Sequence, residues 1–157
     1  FLCRQTDLLT AAGTINNFVN IKKGQFCNAH SVKFMIEKVT SQGNENVIVT
    51  ERGNSFGYED LVVDMRNIPI MKSFGKKVVL DITHSLQKPN QGHGVSGGTP
   101  EFIETLGCAG IAAKVDGIFL ETHPNPKNAL SDGSTMLSID RLETLLQKLD
   151  SIKKAIL

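Results

Sequence analysis

The segment Val78-Val79-Leu80-Asp81-Ile82-Thr83-His84-Ser85 passes from a short apolar run, rich in β-branched residues, directly into a polar cluster. A run of that length and composition reads as a buried parallel strand, with the polar residues forming the loop that follows it. The arrangement recurs along the chain. Val19-Asn20-Ile21 precedes Lys22-Lys23-Gly24-Gln25, Val47-Ile48-Val49-Thr50 precedes Glu51-Arg52-Gly53, and Gly117-Ile118-Phe119-Leu120 precedes Glu121-Thr122-His123-Pro124.

Helical patterns lie between these runs. Residues 4–15 (RQTDLLTAAGTI) suit a helix, although Gly13 works against it. Ser31 to Gln42 carries apolar residues at Val32, Met35, Ile36 and Val39, with Gly43 placed as a C-terminal cap. Thr99-Pro100-Glu101 reads as an N-cap followed by Pro at the first helical position. The last helix is expected to start at Ser138, with Ile139, Leu142, Leu145, Leu146, Leu149 and Ile152 forming one apolar stripe.

Strand and helix alternating at roughly 30 residues per unit indicate an α/β fold with a parallel sheet. A doubly wound sheet and a (β/α)8 TIM barrel both have this rhythm. The polar residues favour the barrel, because Lys22, Arg52, His84 and Glu121 each follow a different strand. A barrel builds its active site from residues ending several strands at one face. No GxGxxG or Walker A loop supports a nucleotide-binding sheet. A complete barrel takes around 250 residues. Residues 1–157 are therefore expected to form a single partial barrel domain, roughly the second half with about four strands, and the opening Phe1-Leu2 suggests a truncated chain. The Gly-rich segment Pro89 to Gly98 reads as a long mobile loop, a candidate lid over residues 88–98.

Composition narrows the function classes. Hydrophobic residues make up 40% and charged residues 21%, as in ordinary globular domains. No run approaches the roughly 18 apolar residues of a membrane span, and no signal-peptide pattern is present. A net charge of +1 disfavours general nucleic-acid binding, so any anion site must be local. Cys3, Cys27 and Cys108 show no CxxC or zinc spacing; they read as buried small hydrophobes in a reducing, cytoplasmic compartment.

Two groups of residues carry candidate chemistry. Lys22 and Arg52, from adjacent strand ends, could converge on a phosphate or carboxylate, Arg by a bidentate fork and Lys as a point charge. The alternative is that each pairs with a neighbouring carboxylate, for example Arg52 with Glu51. His84, Glu121 and Asp132 could hold a divalent metal such as Zn, Fe or Mn, or serve as general acid and base without one. Equally, His84 could be a hydrogen-bonded structural residue and Asp132 a turn residue of Ser131-Asp132-Gly133-Ser134. His123 and Pro124 read as loop-shaping, and His30 and His93 as solvated.

The motifs FLCRQTDLL, NIKKGQF, TERGNSFGYEDLVVDMRNIPIM, DITHSLQ, SGG, FLETHPNP and ALSDG follow one another from Phe1 to about Leu137. In these words and this order the chain resembles the 3-deoxy-D-manno-octulosonate 8-phosphate synthases, enzymes of lipopolysaccharide sugar (Kdo) synthesis. The resemblance implies a (β/α)8 barrel, a cytoplasmic homotetramer, and condensation of phosphoenolpyruvate with D-arabinose 5-phosphate, releasing phosphate. It implies that Lys22 and Arg52 grip phosphoenolpyruvate, and that Arg4 reaches across a subunit interface to the aldose phosphate. It places His84 beside both the donor and the metal, with catalytic roles for His84 and Lys22, and makes His84, Glu121 and Asp132 metal ligands in the metal-dependent class. The fourth ligand of that class is a Cys near the N-terminus, matched by none of Cys3, Cys27 and Cys108. Members with Asn there work without metal; the KKGQF and ALSDG wording is closer to the metal-dependent class. Two other readings remain open: a 3-deoxy-D-arabino-heptulosonate 7-phosphate synthase using erythrose 4-phosphate, and a non-catalytic barrel fragment acting as a binding module.

Overall fold

The computed structural model describes residues 2–89 and 96–156. A 3-10 turn at Leu2–Arg4 leads into α1 (Thr6–Gly13), then β1 (Val19–Lys22), a turn at Ala29–Ser31, α2 (Val32–Thr40) and β2 (Val47–Glu51). A hairpin of β3 (Asn54–Phe56) and β4 (Asp60–Val62) follows, then α3 (Asn67–Lys72) and β5 (Lys77–Asp81). The short strands β6 (Gln87–Lys88) and β7 (Gly97–Gly98) precede α4 (Ile103–Ala112) and β8 (Gly117–Phe119). The chain closes with β9 (Thr122–His123), β10 (Leu137–Ser138) and α5 (Leu142–Ala155).

β1, β2, β5 and β8 are the expected apolar runs, and they pair side by side in that order as one parallel sheet. Among the described residues the sheet is open, with β1 and β8 at its edges. The register aligns Ile21 with Val49 and Val49 with Val78. Because side chains alternate between faces along a strand, these residues share one face. They pack there with Val32, Met35, Ile36 and Val39 of α2, which are at most 5% exposed. Burying each such side chain stabilises the fold by roughly 1.5–3 kcal/mol. A second cluster joins Leu80, Ile82 and Ile103 to Leu137, Leu145 and Leu149, docking α4 and α5 under the β5–β8 side.

Several local expectations are corrected. The first helical segment is a 3-10 turn plus α1, and Gly13 belongs in it for packing. A Cβ at Gly13 would come within 2.5 Å of the Val39 carbonyl oxygen, so α1 can approach α2 this closely only with glycine. α2 is shorter than Ser31–Gln42, but Gly43 ends it as expected, at φ +88° with its N–H donating to Thr40 O at 2.8 Å. Ser138 makes no side-chain capping bond; it precedes a 3-10 turn at Ile139–Arg141, and α5 begins at Leu142. Of the predicted stripe only Leu145 and Leu149 are buried, while Ile139 and Leu146 are about half exposed. Thr99 likewise starts a 3-10 turn with Pro100 in its first positions and gives no side-chain cap. The β3–β4 hairpin and α3 were not expected, since three-residue strands and a Pro-bearing helix leave little periodic signal. Residues 90–95 of the candidate lid, and His93 within them, lie outside the described residues; the segment's flanks pair as β6 and β7.

Candidate active site

The strand ends divide their polar residues by face. Lys22 pairs in register with Thr50, and Thr50 with Val79, so Lys22 shares with Asp81 the face turned away from α2 and α3. Asp81, wholly buried, is the hub of this side. Its Oδ2 lies 2.8 Å from Lys22 Nζ and 2.8 Å from His84 Nδ1. Its Oδ1 accepts the backbone N–H groups of Thr83 (3.0 Å) and His84 (2.8 Å). Burial pushes the Asp81 carboxyl up, but the hydrogen bonds from His84 and Lys22 outweigh it and hold the group below its ordinary value. Lys22 Nζ also lies 4.5 Å from the centroid of the Phe119 ring, within cation–π range.

Asp81 engages the His84 ring at Nδ1, which leaves Nε2 turned toward the rest of the cluster. Glu121 Oε1 lies 3.5 Å from that Nε2, and the Glu121 backbone N–H donates to Thr83 Oγ1 at 2.8 Å. One ligand atom each from His84, Glu121 and Asp132 falls within 4.8 Å of the others. Asp132 reaches this position from a left-handed backbone at φ +52°, a conformation that Asp tolerates better than most residues.

Arg52 stands beside this cluster, 7% exposed. Its NH2 donates to Gln87 Oε1 at 2.6 Å, and Gln87 Nε2 donates on to Asp132 Oδ1 at 2.6 Å. Burial pushes the guanidinium down from its ordinary value against the opposing pull of Asp81, Glu51 and Asp132; an Arg so placed stays charged. Its NH1 is buried without a hydrogen-bond partner among the described residues, as is Glu121 Oε2. Buried polar atoms of this kind cost free energy and are rare outside working sites. Lys22 and Arg52 share the wall of an open cleft of about 500 Å³ with Leu2, Cys3 and Gly24.

The feared pairing of Arg52 with Glu51 does not occur through the guanidinium. Glu51, on the helix-facing side, takes Lys23 Nζ at 3.2 Å instead, and both side chains are fully buried. The Arg52 backbone N–H alone donates to Glu51, at 2.9 Å. Arg4 is exposed at the end of the first turn, with its carbonyl accepting from Lys38 Nζ at 3.4 Å; the structure does not bring it into the cluster. His30 is exposed. Cys27 is buried in the core, but Cys3 and Cys108 are only half-buried against it, and no Cys joins the candidate metal ligands among the described residues.

His84, Glu121 and Asp132 fit a divalent cation. They offer one imidazole nitrogen and carboxylate oxygens, the donor set of Zn, Fe or Mn sites. His84 already donates its other nitrogen to a carboxylate, the usual support of a metal-binding His. The unpartnered Glu121 Oε2 supplies a spare ligand atom.

The DAHP synthetase I family matches residues 1–157, the whole chain. The chain belongs to that family. Among curated proteins it is 53% identical over 149 residues to a 2-dehydro-3-deoxyphosphooctonate aldolase of Brucella anthropi, covering 95% of this chain and 54% of that protein. Proteins of the same name from Brucella ovis and Geobacter sp. strain M21 are each 52% identical, covering 99% and 97% of this chain. The chain spans about half the length of these relatives, 54–57%.

Within this family member, sequence reasoning missed Asp81, Gln87 and the Lys23–Glu51 pair. Period-2 alternation puts Asp81 on the face of Val79, but only the strand register shows that this is also the face of Lys22. Gln87 gave no signal, because an uncharged residue after a 3-10 turn matches no chemical pattern.

Proposed function

We propose that this chain carries part of the active site of an enzyme condensing phosphoenolpyruvate with D-arabinose 5-phosphate to 3-deoxy-D-manno-octulosonate 8-phosphate and phosphate. The observation that carries the reading is the convergence of Lys22 and Arg52 with His84, Glu121 and Asp132 on one side of the sheet. The names of the relatives favour this product over the seven-carbon alternative. The preserved cluster argues against a non-catalytic fragment.

The reaction joins C3 of phosphoenolpyruvate to the aldehyde carbon, adds water at C2 and breaks the bond from C2 to the phosphate oxygen. Lys22 and the free NH1 of Arg52 hold the donor's phosphate or carboxylate. His84, its Nδ1 proton fixed by Asp81, accepts a proton from the attacking water at Nε2 in a site without metal; where a cation is held, that nitrogen is a ligand instead. A divalent cation bound by His84, Glu121 and Asp132 would supply Lewis-acid polarisation of the aldehyde or the water. Holding both substrates in line contributes a large part of the rate.

On the same reading the four-stranded sheet is part of a (β/α)8 barrel completed by other strands of a longer protein, a cytoplasmic homotetramer. Arg4 reaches the aldose phosphate of a neighbouring subunit there. No helix among the described residues is long and apolar enough to cross a membrane.

The test is phosphate release by the full-length protein, given phosphoenolpyruvate with arabinose 5-phosphate or erythrose 4-phosphate. Turnover with the five-carbon aldose alone supports the proposal. Preference for erythrose 4-phosphate selects the heptulosonate synthase, and tight donor binding without turnover selects the binding module. Chelation with EDTA or dipicolinate then decides metal dependence, since loss of activity restored by Zn, Fe or Mn places the protein in the metal-dependent class.

A further inference from the structure

The side chain of Gln87 touches both halves of the site at once. Its Oε1 accepts from Arg52 NH2 and its Nε2 donates to Asp132 Oδ1, each at 2.6 Å. The amide can face only one way: turned over, it would set an NH2 group against the guanidinium and an oxygen against the carboxylate. Gln87 itself is held by the backbone, because β6 pairs it in register with Gly98 of β7. From this rigid neck it engages one nitrogen of Arg52 and leaves NH1 unspent, and it engages one oxygen of an Asp132 that sits on a left-handed backbone.

We infer that Gln87 is a positioning residue that holds the anion-gripping Arg52 and the cation ligand Asp132 in register, so that donor binding and metal binding depend on one amide. The inference rests on the proposed reading of the site and deepens it. An Arg bonded on one edge has its other nitrogen aimed rather than free to rotate, and a carboxylate bonded on one oxygen turns its other toward His84 and Glu121. Partners of metal ligands typically change metal affinity by about 10–100-fold when removed.

The chemistry predicts different signatures for two substitutions. Gln87→Met keeps the length and removes both bonds, so Arg52 and Asp132 both lose their anchor. Gln87→Glu keeps an acceptor for Arg52 but ion-pairs the guanidinium, removes the donor to Asp132 and places a second carboxylate beside it.

The experiment uses full-length protein and three readouts: phosphoenolpyruvate affinity by calorimetry, Co2+ affinity by visible absorption, and melting temperature. Gln87→Met is expected to weaken both phosphoenolpyruvate and Co2+ about 10-fold or more while melting close to wild type. Gln87→Glu is expected to weaken phosphoenolpyruvate further than Gln87→Met does, and to weaken Co2+ less than Gln87→Met does, because its added charge offsets part of the lost Asp132 anchor. If Gln87→Met weakens one ligand and leaves the other unchanged, or leaves both unchanged, the bridging role is overturned. If either variant melts well below wild type, the affinity losses report general damage and the role is again overturned. Should the wild-type protein bind neither probe, the reading of the site falls and takes this inference with it; failure confined to the variants sinks the inference alone.

Discussion

At the end of β1 two consecutive lysines meet carboxylates on opposite sides of the sheet, Lys23 with Glu51 at 3.2 Å and Lys22 with Asp81 at 2.8 Å. The helix-facing side is saturated. Lys23 Nζ also donates to the carbonyls of Cys27 (3.2 Å) and Gly53 (3.1 Å) and to Asn54 Oδ1 (3.0 Å). Glu51 accepts the backbone N–H groups of Arg52 and Gly53 and the Asn67 amide. On the opposite side, among the described residues, Arg52 Nη1 and Glu121 Oε2 are buried without a hydrogen-bond partner, and the Lys22 side chain is 38% exposed. A saturated ionic cluster fastens the β2–β3 corner to the loop after β1. A cluster with unspent donors and acceptors has capacity left for a ligand. The difference separates a structural charge pair from a working one more sharply than residue type does.

The comparison breaks most visibly if the two lysines respond alike to substitution. Lys23→Met strands a buried Glu51 and is expected to cost about 3–5 kcal/mol by urea denaturation. Arg52→Ala should lower turnover by about 10²–10³-fold, or raise the phosphoenolpyruvate KM correspondingly, as loss of a fixed charge-stabilising donor does. Unchanged kinetics would remove Arg52 from the site. Lys22→Met is expected to lower turnover by roughly 10²-fold and to cost less stability than Lys23→Met, because Asp81 keeps its bonds from His84 and the backbone.

The acid limb of stability sharpens the same contrast. With the Asp81 carboxyl held below its ordinary value, the unfolded chain binds the extra proton first. The stability it contributes is complete above the unfolded Asp value of about 3.9 and is lost as pH falls through the lower folded value. Asp81→Asn should therefore flatten stability against pH below about 4, and an unaltered acid limb would contradict the assigned hydrogen bonds. The smallest effect belongs to the surface: breaking the Glu104–Lys148 pair between α4 and α5, both largely exposed, should leave the melting temperature unchanged within error.

Much of this architecture was legible in the chain. The four apolar runs became the four strands of the sheet, in sequence order, and Lys22, Arg52, His84 and Glu121 all stand at or just after strand ends. What stayed hidden was whatever depended on partners distant in sequence. Asp81 reads as an ordinary strand-end acid until Lys22, 59 positions earlier, is brought to it. Gln87 is unremarkable until it stands between Arg52 and Asp132.

The sequence by itself determined the rhythm of strand and helix, the apolar faces, and the residue types able to grip anions or metal, because these follow from side-chain period and chemistry along a single segment. Only the tertiary structure decided which lysine borders the open cleft and which is walled in, which carboxylate holds His84, and that one amide joins the two halves of the site. Those outcomes depend on which face each side chain meets once the strands align, and a one-residue shift in strand pairing would have exchanged Lys22 and Lys23.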